Sequence, residues 1–252
     1  MKGPWIGLLM MTTLAHAQVW IPQEENPSDI IQHSAITIGY IEEHEQPQWV
    51  AYALRKEHLR DCVDRRDNFR EDPRIRSGSA LPTDYRSSGY DRGHIAPAGD
   101  MKWSKQAMDE SFFMSNITPQ SPKMNRGRWA ILENLTRAWA KDGDETIVVS
   151  GPVLRDNLPR IGATGISVPD EHFKVLLRSK RGQRSAIAFL MTQDPSANDL
   201  QTYAVPVRMI EERTGLDFFP HLSQREQDRV EEKIEWSAWD FRAKFSYFPC
   251  SG

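Results

Sequence analysis

A short segment of the chain, residues 90–100, combines a carboxylate, a guanidinium and an imidazole around one glycine. Its reactive part reads Asp91, Arg92, Gly93 and His94 in direct succession. Hydrolysis of a phosphodiester needs a base that activates water and positive charge that neutralises the phosphoryl oxygens. Imidazole suits the first task because its unperturbed pKa of about 6.5 leaves it neutral near pH 7. The segment therefore predicts a phosphodiester-cleaving site with His94 as the general base, Arg92 beside it, and Asp91 orienting neighbouring groups.

Three further candidates lie on a helix that the sequence predicts from residue 125 to about residue 141, because Trp129, Leu132, Thr136 and Trp139 recur at helical spacing. Asn125, Glu133 and Arg137 fall within about 120° of one another on a regular helix, so they can address one site. The amide oxygen of Asn125 suits a hard divalent cation, and Glu133 can accept hydrogen bonds from water on that cation. Arg137 can bind phosphate in a bidentate manner. This flank of the helix predicts a metal and phosphate site.

Each of these patterns has a simpler interpretation. An isolated Asp-Arg-Gly-His motif is compatible with a structural role for His94. Glu133 and Arg137, four positions apart, also fit a surface ion pair worth a few tenths of a kcal/mol. Taken alone, these residues leave catalysis and structure open.

Other chemistries have little support. The sequence contains no Gly-x-Ser-x-Gly, no His-Glu-x-x-His and no Walker loop. The segment 42–45 (Glu-Glu-His-Glu) fits no zinc template and is interpreted as an acidic turn. We interpret His172 and His221 as structural. Cys62 lacks the local signature of a thiol nucleophile.

Six short segments between residues 65 and 219 form one larger pattern. They are Arg65-Arg66-Asp67-Asn68-Phe69, Asp91-Arg92-Gly93-His94, Ser115-Asn116-Ile117-Thr118-Pro119-Gln120, Asn125-Arg126-Gly127-Arg128-Trp129, Leu132-Glu133 and Thr214-Gly215-Leu216-Asp217-Phe218-Phe219. Together they resemble the motifs of the DNA/RNA non-specific endonucleases, the ββα-metal family. The similarity extends from about Ile36 to Leu222. The resemblance implies an α+β fold, a ββα-metal finger in which a central, mostly antiparallel sheet is flanked by helices.

The resemblance also assigns roles to residues. It makes His94 the general base, Asn125 the direct protein ligand of Mg²⁺, and Glu133 a ligand through water. Mn²⁺ is the alternative cation. The remaining roles are phosphate contact by Arg65 and Arg137 and shaping of the pocket by Asn116. The chain departs from some members at Phe112, where they have an asparagine, and this affects only an accessory role.

The function implied by the resemblance is hydrolysis of DNA and RNA without marked sequence preference. Water activated by His94 attacks phosphorus, and the products carry 5′-phosphates. Contacts restricted to phosphate and sugar explain weak discrimination between bases. Two alternatives remain: a phosphodiesterase of small nucleotides or other phosphate diesters, and a non-catalytic nucleic-acid-binding protein.

The hydrophobic pattern predicts the elements that position these residues. Alternation at 36–40 and the run at 49–54 predict a hairpin. A long irregular segment follows at 60–88. Further strands are predicted at 112–117, 145–149, 172–177 and 185–191, and a last helix at 224–241. The run at 146–149 predicts a strand buried on both faces. Strands and helices without a regular βαβ rhythm favour an α+β domain.

The charge of the chain is unusual for a protein that binds nucleic acid. The formal net charge is -3, whereas affinity for phosphate comes largely from Lys and Arg. Two stretches are locally basic: residues 174–184 carry five bases and no acid, and residues 123–141 carry five bases against Glu133. They predict a basic face on an acidic protein, although each stretch is also compatible with an ordinary solvated face.

The N-terminus has the features of a secretory signal. An early lysine and the apolar run 5–11 precede Ala15-His16-Ala17, which predicts cleavage after Ala17. A buried helix and a membrane anchor are the alternatives, but the run is shorter than the roughly 20 residues that span a bilayer. We therefore expect a signal peptide at 1–17, a single domain at 18–252 in the periplasm or outside the cell, and no membrane association of the mature form.

The chain contains two cysteines, Cys62 and Cys250. An oxidising compartment permits them to form a disulfide that would attach the C-terminus to the region before the predicted catalytic segment. Two unrelated buried thiols are the alternative.

Overall fold

The computed structural model describes residues 21–24 and 29–250. The predicted signal peptide and its cleavage site lie outside these residues. The strands are β1 (Asp29–Gln32), β2 (Thr37–Ile41), β3 (Gln46–Leu54), β4 (Arg60–Asp61), β5 (Asp91–His94), β6 (Ile117–Gln120), β7 (Glu145–Pro152), β8 (Arg160–Ile161), β9 (Ile166–Ser167), β10 (Glu171–Lys180), β11 (Gln183–Thr192), β12 (Ala204–Val205) and β13 (Phe248–Pro249). The helices are α1 (Lys105–Ser111), α2 (Ala130–Asp142), α3 (Val207–Thr214) and α4 (Gln224–Glu231).

A seven-stranded sheet in the order β1-β2-β3-β7-β10-β11-β12 forms the centre of the fold. Every neighbouring pair in it runs antiparallel. The predicted hairpin is confirmed as β2 and β3, which are joined by a helical turn at Glu42–His44. Residues 146–149 lie in the middle strand, β7, and are buried on both faces as their apolar run predicts.

Helices cover both faces of this sheet. On one face, α2 contributes Leu132 and Trp139 to a core that also contains Val148 and Phe189. On the other face, Val207 of α3 and Val230 of α4 pack with Phe173 and other sheet residues. The α+β architecture with a mostly antiparallel sheet is therefore confirmed. Among the residues with described placement, no helix is both long enough and apolar enough to cross a membrane.

A small ββα unit holds the Asp91–His94 motif. Strand β5 pairs with β6 in antiparallel register, with His94 opposite Ile117 and Asp91 opposite Gln120. Gly93 packs closely against Gln120, since a Cβ atom there would lie 2.3 Å from the Gln120 Cδ atom and would force this buried side chain to move. A π-type turn at Met124–Trp129 then leads directly into α2. This order places the end of β5 beside the start of the helix.

The strand predicted at 112–117 is wrong in most of its length. Helix α1 ends at Ser111, Met114–Asn116 forms a helical turn, and the strand β6 begins only at Ile117. The side chain of Asn116 stabilises the turn, because its Nδ2 atom donates to the carbonyl oxygens of Ala96 and Ser111 and its Oδ1 atom accepts from the Ala96 backbone. These long-range partners are not visible in the local apolar run.

The helix predicted at 224–241 is also too long. Helix α4 ends at Glu231, and residues 232–250, here called the C-terminal strap, follow an irregular path with a short turn at Trp236–Ala238. Trp239 packs edge-on against Trp139 of α2, with ring centroids 4.9 Å apart. Helix propensity is a small contribution per residue, and burial of aromatic groups such as Trp239 against the core outweighs it. The strap ends as β13, which pairs in parallel with β4.

Candidate active site

A cavity of about 640 Å³ lies between β5, the start of α2 and the C-terminal strap. Seven predicted site residues line it: Arg65, Asp91, Arg92, His94, Asn125, Glu133 and Arg137. Residues without a predicted role also line it, among them Asp67, Phe69, Gly99, Lys102, Arg126 and Tyr247. The fold therefore brings residues from distant parts of the sequence to one surface depression.

His94 forms part of the cavity wall and is only 8% exposed. Its ring lies edge-on to Phe112, with centroids 4.9 Å apart, and tilted against Phe69. Burial, with help from Arg65 and Arg92 and against the effect of Asp67, lowers the pKa of His94 to about 3. The imidazole is therefore neutral at physiological pH, and burial also makes it a weaker base than a free imidazole.

Aromatic packing rather than a carboxylate holds this ring. The Nε2 atom of His94 is buried and has no hydrogen-bond partner among the described residues. The same two phenylalanines support the arginines, because Arg92 lies 4.2 Å from the ring centre of Phe69 and Arg65 lies 5.4 Å from that of Phe112. Cation–π contacts of this kind orient a guanidinium. Arg65 is also held by Asp67, because its Nε atom donates to Asp67 Oδ1 at 2.7 Å.

Asp91 orients the start of the helical segment. Its Oδ2 atom accepts from Asn125 Nδ2 at 2.9 Å and from Arg126 Nε at 2.8 Å, and Oδ1 accepts from the other arm of Arg126. Partial burial acts to raise the pKa of Asp91, but the hydrogen bonds from Arg126 and Asn125 lower it below its ordinary value. With its nitrogen engaged, the amide of Asn125 presents its oxygen as the remaining polar atom.

Glu133 and Arg137 form the deeper wall of the cavity. Burial, partly offset by Arg137, raises the pKa of Glu133 to about 6. The ion pair between them is loose, with Arg137 Nη2 3.7 Å from Glu133 Oε2. The sequence spacing assumed that Asn125, Glu133 and Arg137 lie on one regular helix, but the helix is irregular before α2. Gly127, with φ -106° and ψ -110°, breaks the regular turn, and Asn125 faces the cavity from the π-type segment before α2.

Arg137 is held in place by Asp100, a residue whose role the sequence did not reveal. Its Nε atom donates to Asp100 Oδ1 at 2.6 Å, and Tyr52 donates to the other oxygen of Asp100 at 2.6 Å. Burial acts to lower the pKa of Arg137, but Asp100 and Glu133 raise it above its ordinary value. The only signal for Asp100 was its place at the end of the segment 90–100.

Asn116 is the one predicted site residue that does not line the cavity. It is fully buried and ties the residues after β5 to the turn before β6 through its bonds to Ala96. Its place agrees with shaping of the pocket from behind. Tyr247, by contrast, lines the cavity without any sequence signal, because it lies far along the chain from every motif.

Two of the five bases in the stretch 174–184 are buried and do not contribute to a basic face. Lys174 is 0% exposed and Arg178 is 5% exposed. Lys174 donates to Ser150 Oγ at 2.8 Å and lies 5.0 Å from the ring centre of Trp129. Burial, partly offset by Glu133, lowers its pKa to about 8. Positive charge at the site instead comes from the residues that line the cavity, Arg65, Arg92, Lys102, Arg126 and Arg137.

The oxygen donors of the cavity fit a hard divalent cation. The amide oxygen of Asn125 and the carboxylate of Glu133 face one space, and the Asp91 carboxylate fixes the amide from behind. Oxygen ligands of this type suit Mg²⁺ or Mn²⁺, and Mg²⁺ keeps several waters and needs few protein ligands. The donor set contains no thiolate, in agreement with such a cation.

Comparison with known proteins places this site in a family. The family model described as DNA/RNA non-specific endonuclease matches residues 21–225. Mitochondrial Endonuclease G from Homo sapiens is 37% identical over 195 residues, which cover 70% of this chain and 65% of that protein. A nuclease from Nostoc sp. (strain PCC 7120) is 33% identical over 199 residues, covering 74% of this chain and 72% of that protein.

A solved structure is similar over most of the chain. The crystal structure of the EndoG/EndoGI complex gives a TM-score of 0.77 at 29% identity, covering 86% of this chain and 96% of that one. The chain spans just under two thirds of the Endonuclease G relatives from Homo sapiens and Bos taurus, at 65% and 64% of their length. The ββα-metal fold implied by the motifs is thus confirmed, and the chain belongs to the DNA/RNA non-specific endonuclease family.

Proposed function

We propose that this protein is a metal-dependent endonuclease that hydrolyses phosphodiester bonds of DNA and RNA without marked sequence preference. The observation that carries the proposal is the meeting of His94 and Asn125, 31 positions apart in the chain, on the wall of one cavity rich in arginine. An imidazole base, an amide oxygen and guanidinium groups are the parts that phosphodiester hydrolysis needs.

His94 accepts a proton from the attacking water. Because burial keeps its imidazole neutral, the acceptor is available without prior deprotonation. Arg65 and Arg92, stacked on aromatic rings, and Arg137, fixed by Asp100, face the cavity where the phosphate binds. Their positions are set before substrate arrives, so little reorganisation is needed as charge develops on the phosphoryl oxygens.

Asn125 and Glu133 are the residues that would hold a divalent cation, Mg²⁺ in our proposal and Mn²⁺ as the alternative. A bound cation supplies Lewis-acid neutralisation of the charge that grows on the phosphate and on the leaving oxygen. Asp91 keeps the Asn125 oxygen turned toward that position through its bond to the amide nitrogen. Fixing a ligand in this way raises cation affinity.

The groups of the cavity explain a broad specificity. Its charged lining, mostly arginine and lysine, binds phosphate rather than base edges. Contacts to phosphate position a nucleic acid but carry no sequence information. We therefore propose both DNA and RNA as substrates, with 5′-phosphate products formed by breaking the bond to the 3′ oxygen.

We further propose that the protein is exported to the periplasm or secreted. The disulfide between Cys62 and Cys250 supports this location, since such bonds persist in oxidising compartments. The apolar segment before Ala17 supports it independently. Mass measurement of the protein recovered from the cell exterior or periplasm tests both points, and a mature protein that still begins at Met1 contradicts the proposed cleavage.

The decisive experiment is a nuclease assay of purified protein on plasmid DNA and RNA. We expect degradation with Mg²⁺ or Mn²⁺, none in the presence of EDTA, and a loss of about 10²- to 10⁴-fold in His94→Ala. Circular dichroism of the variant checks that the fold is intact. Unchanged activity in His94→Ala refutes the assignment of the base.

The same assay separates the two alternatives. Turnover of a chromogenic diester without cleavage of polymer would identify a phosphodiesterase of small substrates. A gel shift of intact DNA in the presence of Mg²⁺ would identify a non-catalytic binding protein.

A further inference from the structure

The C-terminal strap lies outside the matched family segment, which ends at residue 225, yet it reaches the candidate active site. It crosses the surface of α2, where Lys141 donates to the carbonyl of Ser246. At its end, β13 pairs with β4, and Cys250 forms a disulfide with Cys62. These two attachments fix the position of the residues just before them, including Tyr247.

Tyr247 is half-buried and lines the cavity. Its hydroxyl donates to the carbonyl of Gly99 at 2.9 Å. Gly99 is the point where the strap meets Arg137, because a Cβ atom there would lie 2.3 Å from Arg137 Nη2 and 3.0 Å from the Tyr247 oxygen. A tyrosine, a backbone carbonyl and a buried arginine are therefore packed in direct succession.

A second aromatic residue of the strap contacts the same arginine. The ring centre of Phe245 lies 5.9 Å from Arg137 Cζ, and Phe245 packs edge-on against Tyr247 at 4.6 Å. Asp100 and Asn134 bind Arg137 by hydrogen bonds, and Glu133 forms the loose ion pair with it. The strap adds the Phe245 ring to these contacts and brings Tyr247 to the Gly99 position that Arg137 also approaches.

Residues next to the disulfide also contact Lys102, which packs against Tyr247 of the strap. Lys102, which also lines the cavity, lies 4.9 Å from the ring centre of Tyr247 and forms an ion pair with Asp61. The backbone N–H of Cys62 donates to the carbonyl of Lys102 at 3.0 Å. Cleavage of the disulfide would therefore release a segment whose contacts extend to the Lys102 side chain in the cavity wall.

We propose that the disulfide-tethered C-terminal strap forms a functional part of the wall of the catalytic cleft. In it, Tyr247 is a positioning residue for Arg137 and the bound phosphate. The proposal rests on the proposed function, because it assigns Arg137 to phosphate binding. The disulfide limits the freedom of the strap, so it keeps Tyr247 against Gly99 at low entropic cost. Small displacements of such groups can cost up to about 10²-fold in rate.

The first test compares Tyr247→Ala with Phe248→Ala. Phe248 belongs to the same strap, but its side chain packs against Lys141 and does not line the cavity. Its attachment to the β4 region is the backbone N–H that donates to the carbonyl of Leu59 at 2.8 Å, and Phe248→Ala keeps that bond. The assay temperature lies below the melting temperature of both variants. Under this condition we expect Tyr247→Ala to lower kcat/KM about tenfold. Phe248→Ala is expected to lower the melting temperature with kcat/KM within about twofold of the parent. Equal kcat/KM for Tyr247→Ala and the parent overturns the proposal.

Binding without catalysis gives a second readout. Fluorescence anisotropy of a single-stranded oligonucleotide, measured in EDTA, reports phosphate binding independently of hydrolysis. Tyr247→Ala is expected to weaken this binding several-fold, whereas Phe248→Ala leaves it unchanged. Tyr247→Phe, which removes only the hydroxyl, is the variant to use if Tyr247→Ala does not fold. Because a single hydrogen bond is worth about 1 kcal/mol, its expected loss in kcat/KM is about fivefold. Parent-like kcat/KM in a folded Tyr247→Phe then overturns the role of the hydroxyl contact.

The third test removes the tether. The parent treated with dithiothreitol and the variant Cys62→Ser/Cys250→Ser are expected to lose kcat/KM to the same extent, and the reductant has no further effect on the variant. Full activity of the reduced, folded parent overturns the proposal. A parent without hydrolysis of any diester would contradict the proposed function instead, and the oligonucleotide binding assay would still test the strap.

Discussion

Two clusters of carboxylates and arginines in this protein have similar electrostatics and different surroundings. One is in the cleft, where Glu133 lies beside Arg137. The other, here called the C-terminal carboxylate cluster, consists of Glu211, Asp217 and Glu231, whose oxygens lie within 4.8 Å of one another. Burial raises the pKa of Glu133 to about 6 and that of Glu231 to about 7. A perturbed pKa therefore does not by itself distinguish the two.

The difference lies in what the polar groups face. In the C-terminal carboxylate cluster, Arg208 contacts Glu211 at 2.9 Å and Glu231 at 2.8 Å, and so links α3 to α4. The side chain of Glu231 is fully buried. In the cleft, Glu133 and Arg137 line a cavity large enough for a phosphate and a hydrated cation. The comparison teaches that access, rather than the size of a pKa shift, marks a candidate active site.

The largest expected difference between the clusters is in cation binding. Asn125→Ala removes the oxygen that we propose as the direct cation ligand in the cleft. We therefore expect binding of Mg²⁺ or Mn²⁺ to fall below detection and nuclease activity to fall about a thousandfold, since a catalytic cation contributes several kcal/mol. Glu231→Gln is the matched change in the other cluster and is expected to leave both unchanged. Isothermal titration calorimetry on EDTA-dialysed protein measures the binding. Loss of cation binding in Glu231→Gln would break the comparison.

A smaller effect is expected from Asp91, which supports the ligand without serving as one in our proposal. Asp91→Ala frees the amide of Asn125, and we expect cation affinity to fall about 10- to 100-fold. Arg126→Ala is the control, because Arg126 contacts the same carboxylate but, within the part of the chain that the structure describes, forms no hydrogen bond to Asn125. If the control lowers cation affinity as much as Asp91→Ala, the orientation of the amide is not the cause.

The smallest expected effect is a pH dependence of stability in the C-terminal carboxylate cluster. The pKa of Glu231 is raised from 4.5 to about 7 in the folded protein, first by burial and then by Glu211, with Arg208 opposing. The folded state therefore binds a proton more tightly than the unfolded state between these pH values, and the free energy of unfolding falls as pH rises from 4.5 to 7. We expect the contribution of Glu231 to this fall to amount to about 1–3 kcal/mol, so that Glu231→Gln shows a smaller fall, with the part that comes from Glu133 remaining.

Urea unfolding from pH 4.5 to pH 8 measures this difference between the parent and Glu231→Gln. Glu232→Gln, at the neighbouring exposed position, controls for loss of a charge. If the parent and Glu231→Gln show the same dependence on pH, Glu231 is not the titrating group.

The parts of the fold that sequence predicts well are those whose pattern is local. Continuous apolar residues predict the buried middle strand β7, and spacing of Trp129, Leu132 and Trp139 predicts α2. The predictions at 112–117 and 224–241 fail for the opposite reason. In both segments the conformation is set by partners far away in the chain, Ala96 for Asn116 and Trp139 for Trp239.

The residues of the candidate site also fall into two groups, those that a local motif predicts and those that only tertiary contacts reveal. The motifs name His94, Asn125, Glu133 and Arg137 because each motif is a few residues long and carries its own chemistry. Asp100 and Tyr247 are not named, because their importance comes only from contact with Arg137 and its neighbour Gly99. The buried state of Lys174 was likewise hidden, since a charged residue in a strand predicts exposure unless the packing around it is known.

The sequence by itself determined the family, the ββα order of elements and the chemical types at the site, because these reside in short motifs with fixed spacing. Tertiary structure decided which side chains face the cavity, which are buried beneath it, and how the C-terminal strap reaches Arg137. The physical reason is that burial, hydrogen-bond partners and the disulfide join residues separated by up to 188 positions, and no local pattern encodes those distances.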